Sequence, residues 1–434
     1  MHFLIYVLYR CGSALIELLP LSIAFRIGDA LGVCVYWLLP RARRTALRNL
    51  SAAFPEKSPR EIAAIARESF ARLGANLFSS VKMGAMTPAQ IAACVEQEVP
   101  EEMRARRAEA RGGWIAMLSH IGNWEAFTQL THLLPGWKFG GAYQRLRNRH
   151  IDAHFRALRA RAGIRLFDRF SESLAAAKFV REGGALGVLV DQHAGDGGLW
   201  TPFFGRLAST SVLAATLSQR SGAPIVPFAV YTIGVARWRL VVSPMIEPRE
   251  NVEEIAAEMN ARLEAQILRA PSDWLWAHDR WKIPRPYFLL DHSARGFYVP
   301  AHAKLKPFKI LVIAPETLPE CRASLRALDC LRQSRPDVEI TVLGKKEVSG
   351  NFAGYRFTQT LHENFDASFR FTCYFQAAWA AFKAGIPRRV GFRTGLSRYL
   401  QNQTIPLPAC ATDTEEFYLA LIQAAGANPH KHSH

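Results

Sequence analysis

Apolar runs of strand length, alternating with helical patterns, constrain this chain more than any other feature. The runs are Ala185 to Val190, Ile225 to Tyr231 and Arg239 to Ser243. One helical pattern, Ser171 to Arg181, precedes the first run, and another, Ser211 to Gly222, separates it from the second. A fourth run closes the stretch GGWIAML, Gly112 to Leu118. Runs that are apolar throughout, rather than alternating, are buried on both faces, so the expected fold class is α/β: a mixed sheet with flanking helices. Ligands of such sheets gather beyond the carboxyl ends of the strands. His120 follows one such end and Asp191 another.

At 434 residues the chain exceeds one ordinary core, and two domains are expected. Lys282 to Pro307 carries Pro284, Pro286, Pro300 and Pro307 with little periodicity and reads as a boundary. Beyond it, KILVIAP (309–315) and EITVLGK (339–345) bracket a helical stretch, a βαβ unit opening a small Rossmann-like α/β domain. The expected division is an N-terminal helical segment at 1–40, a main domain at 41–290, a linker at 291–307 and a second domain at 308–428.

Phe3 to Leu39 is strongly apolar but interrupted by Arg10, Glu17, Pro20, Arg26 and Asp29, so no stretch offers 18 uncharged apolar residues. The pattern suits an apolar helix lying in or dipping into a bilayer. Arg41, Arg43, Arg44 and Arg48 follow, and positive flanks stay cytoplasmic. The net charge of +17 calls for an anionic partner: nucleic acid, acidic lipid headgroups or an acidic carrier protein. Nucleic acid is not expected, because no module interleaves aromatic platforms with basic residues. The seven cysteines form no Cys-x-x-Cys pair, and His150 with His154 on one helix face lacks a third ligand, so no metal is expected. The sequence has no Gly-x-Ser-x-Gly elbow, no Gly-x-x-x-x-Gly-Lys loop and no Gly-x-Gly-x-x-Gly, which leaves neither that type of serine hydrolase nor the usual nucleotide folds.

The stretch LSHIGNWEAF (118–127) holds the remaining chemistry. With 13 histidines and 37 acids, chance supplies about one histidine followed five residues later by an acid, so spacing alone says little. Context says more. An apolar strand ends just before His120, and a helix from Asn123 to Leu134 is expected, with Asn123 as N-cap and Glu125 in the first turn. On one helix the two side chains would sit about 140° apart, whereas a strand-to-helix turn can bring them together. An imidazole held by a carboxylate can take a proton from an alcohol near neutral pH, with backbone N–H groups or an arginine receiving the oxyanion.

RARRTALRNLSAAFPE (41–56), SHIGNWE (119–125), the arginine-rich stretch Tyr143 to Arg169, VLVDQ (188–192), TPFFG (201–205) and WLWAHDRWK (274–282) together resemble the late acyltransferases of lipid A biosynthesis. The likeness runs from about residue 20 to 285. It implies a glycerolipid-acyltransferase-like fold and transfer of a fatty acyl chain from acyl carrier protein thioester to a hydroxyl of a lipid A precursor or related glycolipid. It further implies the cytoplasmic face of the anionic inner membrane, no cofactor, and His-Glu general-base catalysis without a covalent enzyme intermediate. His120 and Glu125 match the family's catalytic histidine and acid. Arg159, seven residues after Asp152, and the strand-end Asp191 match its further functional positions, with Asn123 and Gln192 as accompanying positioning candidates. Tyr143, Arg145 and Arg169 are candidates for substrate binding. Where the family often has Tyr-Arg-Pro, this chain has Tyr143-Gln144-Arg145. Transfer to another glycolipid or lysophospholipid, and a non-catalytic lipid- or carrier-binding role, are the alternatives. Residues 309–315, 327–345 and 380–392 resemble the amino-terminal half of heptosyltransferase-type glycosyltransferases, with Glu316-Thr317-Leu318-Pro319 in place of the family's Gly-Asp segment. That resemblance implies a domain without catalysis of its own.

Overall fold

A computed structural model describes residues 1–101, 112–130, 138–361, 364–407 and 414–431, arranged as two compact units. The first comprises Met1–Ala194 and Ala208–Arg280, the second Gly195–Leu207 and Trp281–His434.

The first unit opens with two helices rather than one, α1 (His2–Leu18) and α2 (Leu21–Leu38). The break falls at Pro20, which has no N–H to give to a continuing helix. α3 (Pro40–Ala53) and α4 (Pro59–Met83) follow. A reciprocal cap starts α4: Ser58 Oγ accepts from the Glu61 backbone N–H, and Glu61 Oε2 accepts from the Ser58 backbone N–H at 2.8 Å. α2 lies on α4 along a glycine seam. A Cβ on Gly28 would collide with the Gly74 carbonyl, and one on Gly74 with the Gly28 carbonyl. Ala24, Phe25 and Tyr36 line the buried side of α2, whereas Ile23, Ile27, Leu31 and Leu38 form an exposed apolar stripe at helical spacing. α1 packs through Phe3 and Tyr9 onto His150 and Phe155 of the helix Arg149–Arg161, and Arg10 Nη1 lies 2.8 Å from His154 Nδ1. The two histidines thus serve this packing instead of standing free on the surface.

The sheet of this unit is built from β1 (Val95–Glu98), β2 (Trp114–Leu118), β3 (Lys138–Tyr143), β4 (Ile164–Asp168), β5 (Gly184–Leu189), β8 (Ile225–Gly234) and β9 (Arg237–Val242); β6 (Leu199–Phe203), which belongs to the second unit, and β7 (Arg206–Thr210) form a separate two-stranded pair. Its order is β1-β9-β8-β2-β5-β3-β4, and only β8 with β9 pairs antiparallel, so the sheet is mixed. Beneath it Phe25, Met83, Val95, Val226, Phe228, Val230 and Trp238 share one core cluster. The apolar runs of the sequence are β2, β5, β8 and β9. They occupy the middle of the sheet, β9 included, while the unanticipated β1 and β4 form its edges.

The second unit holds a six-stranded, wholly parallel sheet: β10 (Phe308–Ile313), β11 (Val338–Leu343), β12 (Arg356–Thr358), β13 (Ala367–Arg370), β14 (Arg388–Phe392) and β15 (Gln403–Ile405), in the order β12-β11-β10-β13-β14-β15. The proline-rich stretch read as a linker is part of this unit. Phe288 and Leu289 sit in its main core cluster, and the Arg388 guanidinium donates to the carbonyls of Ile283, at 2.8 Å, and Pro284. The boundary therefore falls after Arg280, and Gly195–Leu207, expected in the first domain, groups with the second.

Candidate active site

Register brings the two strand-end residues together. β2 and β5 are parallel neighbours with Leu118 opposite Leu189, so His120 and Asp191 each stand two residues past a matched pair. The Val190 N–H donates to the Leu118 carbonyl at 3.0 Å and continues the ladder to the brink of the site. Past Leu118 the chain bends away. Gly122, at φ +55°, lies so close to the Val230 carbonyl that a side chain would collide with it.

Asp191 holds the imidazole at two points. His120 Nδ1 lies 2.8 Å from Asp191 Oδ1, and the His120 backbone N–H donates to Oδ2 at 2.8 Å. The Trp274 indole N–H donates to the same Oδ2 at 2.9 Å. Three donors converge on a carboxylate whose side chain is 2 % exposed. Burial pushes the pKa of Asp191 up, but the imidazole charge and these hydrogen bonds outweigh it and hold the group at about 2. An ionised Asp191 on Nδ1 fixes the proton there, which leaves Nε2 as the basic nitrogen. For His120, burial lowers the pKa, and the charge and hydrogen bond of Asp191, with the charge of Glu125, outweigh that and keep it above the ordinary value. Nε2 lies 3.5 Å from the Gln192 side-chain nitrogen, at the limit of a hydrogen bond, and the Trp124 ring stands 4.9 Å from the imidazole.

Glu125, expected to be the partner of His120, acts on it through charge, while its carboxylate lies 3.6 Å from Arg159 Nη2. Arg159 in turn lies over the Tyr143 ring at 5.1 Å, and the Tyr143 hydroxyl donates to Asp152 Oδ1 at 2.6 Å. The Leu146 N–H also donates to that oxygen, which anchors the start of the helix carrying Arg159. Burial, with the hydrogen bond and charge of Asp152, raises Tyr143 to about 12, so it stays a neutral donor at physiological pH.

Other candidates fall in different places. Asn123 precedes a short 3₁₀ turn, Trp124–Ala126, without capping it. Its buried side chain accepts from Ser80 Oγ at 2.6 Å and donates to Met83 Sδ, so it ties the site loop to α4. The helix expected up to Leu134 is seen as Phe127–Leu130, and residues 131–134 lie outside the described residues. The N–H groups of Gly122 and Asn123 donate to the carbonyls of Asp273 and Val230. Arg169 lies over Phe170, and Arg145 is exposed with its charge felt by Asp152 and Asp168.

WLWAHDRWK proves to be the underside of the site. Besides Trp274, His278 Nε2 accepts from the His193 N–H at 2.9 Å, one residue beyond Gln192. Asn49 of α3 donates to the carbonyls of Trp276 and His278. The buried Arg280 donates to Ser209 O and Thr210 Oγ1. Within this stretch, the indole of Trp274 is a direct partner of Asp191.

Among solved structures, an Escherichia coli heptosyltransferase with ADP resembles 28 % of this chain at 14 % identity and a TM-score of 0.25. A family 9 glycosyl transferase from Veillonella parvula gives the same share, identity and score. The matches cover 48 % and 42 % of those chains, so the chain spans about half their length or less. Among characterised proteins, the lipid A biosynthesis lauroyltransferase of E. coli K12 is 26 % identical over 273 residues, 62 % of this chain and 88 % of that protein. The myristoyltransferase of the same pathway and strain is 25 % identical over 265 residues, 59 % of this chain and 80 % of that one. Residues 1–283, which include every side chain of the site just described, match the family described as bacterial lipid A biosynthesis acyltransferase, and the chain belongs to that family.

Proposed function

We propose that the chain transfers a fatty acyl group from acyl carrier protein thioester to a hydroxyl of a lipid A precursor, with His120 as general base and Asp191 as the group that orients it. The observation carrying this reading is the clamp of Asp191 on Nδ1 of an imidazole that is 12 % exposed at the carboxyl end of the sheet. In that arrangement Nε2 takes the proton of the acceptor hydroxyl as its oxygen attacks the thioester carbonyl. The tetrahedral oxyanion then collapses, the carbon–sulfur bond breaks, and the imidazolium returns its proton to the departing thiolate. No covalent enzyme intermediate is needed. Arg159 is the candidate for receiving the oxyanion, with Glu125 steering its guanidinium and raising the basicity of His120. The His-Glu pair of the family is thereby extended here to a histidine with two carboxylates in separate roles.

An acidic donor protein suits the cations around this region: Arg145, Arg147, Arg149, Arg156 and Arg161 are near Arg159 in sequence, and Arg156 and Arg161 are exposed on its helix. The apolar stripe of α2 and the arginines of α3 support attachment to the cytoplasmic face of the inner membrane. The glycine seam that holds α2 on α4 supports a helix lying in the interface with one side in lipid. The 18-residue length and mean hydropathy of 1.4 also meet the requirement for a span, by length and composition alone.

The test incubates purified protein with acyl carrier protein thioesters of several chain lengths and a lipid A precursor, and reads the products by mass spectrometry. The wild type should add one acyl chain, and folded His120→Ala should add none. Wild-type turnover by His120→Ala would remove the proposal.

A further inference from the structure

The helix Phe375–Lys383 of the second unit turns its small residues inward and its rings outward. Ala378 and Ala381 are buried, whereas Phe375, Trp379 and Phe382, at spacings of four and three, share one exposed face. Successive rings are stacked, with centroids 6.5 Å and 5.9 Å apart and interplanar angles of 17° and 29°. The short turn Gly395–Tyr399 packs against this helix and adds Leu396, 71 % exposed, and Tyr399, 69 % exposed. A surface helix normally shows polar residues on this side, and a contiguous exposed apolar patch marks an interaction site.

Charge narrows the partner. The sequence has no acidic residue between Asp366 and Asp413, an interval that contains Arg370, Lys383, Arg388, Arg389, Arg393 and Arg398. Lys383, Arg393 and Arg398 are exposed. The Arg398 guanidinium lies 4.7 Å from the centre of the Tyr399 ring and donates to its hydroxyl at 2.7 Å. Rings in the middle with cations among them match the chemistry of a membrane–water interface, where aromatic side chains sit at headgroup depth and lysine or arginine meets lipid phosphate. A second copy of the chain docked face to face would set these unbalanced cations against each other.

We propose that this aromatic and basic face docks on an anionic phospholipid surface, giving the second unit a membrane contact of its own, separate from α2. The inference does not rest on the acyl-transfer reading. The test uses the full chain. Amide hydrogen exchange over residues 372–400 should slow when vesicles of phosphatidylglycerol and phosphatidylethanolamine are added, and should not slow with phosphatidylcholine vesicles. Trp379→benzoylphenylalanine should crosslink to lipid on illumination. Lys383→Gln combined with Arg398→Gln, both at exposed positions, should weaken the protection by about fivefold per cation removed, with the thermal melting of the protein unchanged. Unchanged exchange of the wild type on anionic vesicles, equal protection by neutral vesicles, or a crosslink to a second protein chain would each overturn the proposal.

Discussion

Asp191→Asn separates orientation by a carboxylate from mere occupancy of the site. Oδ2 receives two N–H donors, from the His120 backbone and the Trp274 indole, so the asparagine oxygen is held in that place and its NH₂ is turned toward Nδ1. Nδ1 must then accept, and the imidazole proton moves to Nε2, the nitrogen that the reaction needs as a base. The depression of Asp191 from 3.8 to about 2 corresponds to roughly 2.4 kcal/mol favouring the ionised group, at about 1.36 kcal/mol per pKa unit. In serine proteases the equivalent change costs about 10⁴ in kcat through the wrong tautomer, and a loss of about 10² to 10⁴ is expected here. The pH profile supplies a second reading. His120 is raised above its ordinary value mainly by Asp191 working against burial, so the acid limb of kcat/KM should lie above pH 6.5 in the wild type. In Asp191→Asn it should move to lower pH. Steady-state kinetics with acyl carrier protein thioester between pH 5 and 9, beside thermal melting to confirm the fold, would measure both. A variant with wild-type kcat/KM and an unmoved acid limb would refute the assignment of Asp191.

Glu125 stands out in the sequence as the partner of His120 because it is five residues away, whereas Asp191, far along the chain, stands out only as a strand-end acid. Both strands were nevertheless legible as apolar runs, with His120 two residues past the end of one and Asp191 directly after the other. What local sequence cannot carry is neighbourhood and register: that β5, rather than β3, lies beside β2 on the side away from β8, with Leu118 opposite Leu189, is decided by how all the crossovers pack. Trp274 escaped for a related reason. Its ring packs against Trp276, as an aromatic cluster suggests, and only the direction of its N–H reveals the second task. The proline-rich boundary is a different case. Pro284, Pro286 and Pro300 interrupt regular structure, yet Phe288, Leu289 and Leu290 between the second and third of them are buried, so apolar residues in such a stretch speak for packing as much as prolines speak for a break. β3 and β4 stayed hidden because FGGAY is too rich in glycine and IRLFD too short to stand out by period.

Arg159→Ala should remove the cation beside Glu125 and lower kcat by about 10² to 10³ while the protein stays folded; an unchanged kcat would take Arg159 out of the oxyanion role. Gly74→Ala should force α2 off α4, costing about 1–3 kcal/mol in chemical denaturation, and unaltered stability would show that the seam is not packed as described. Asp273 gives the last expectation, on pH and stability. Its carboxyl is nearly buried, and although the Thr232 N–H donates to Oδ2, burial wins and raises its pKa from 3.8 to about 6. Folding therefore favours the protonated acid. The contribution is fully present below pH 3.8, declines as pH rises, and is gone above about pH 6, a difference of roughly 3 kcal/mol. Asp273→Asn keeps the shape without the charge, so its stability should fall less than the wild type's between pH 4 and 7 and exceed it at the upper end. The Asp273 carbonyl also accepts the Gly122 N–H, so the same residue supports the His120 loop, and ionisation of its side chain is expected to weaken that support. If denaturation curves of wild type and variant keep a constant separation across that window, Asp273 is already ionised in the native state and that coupling does not exist.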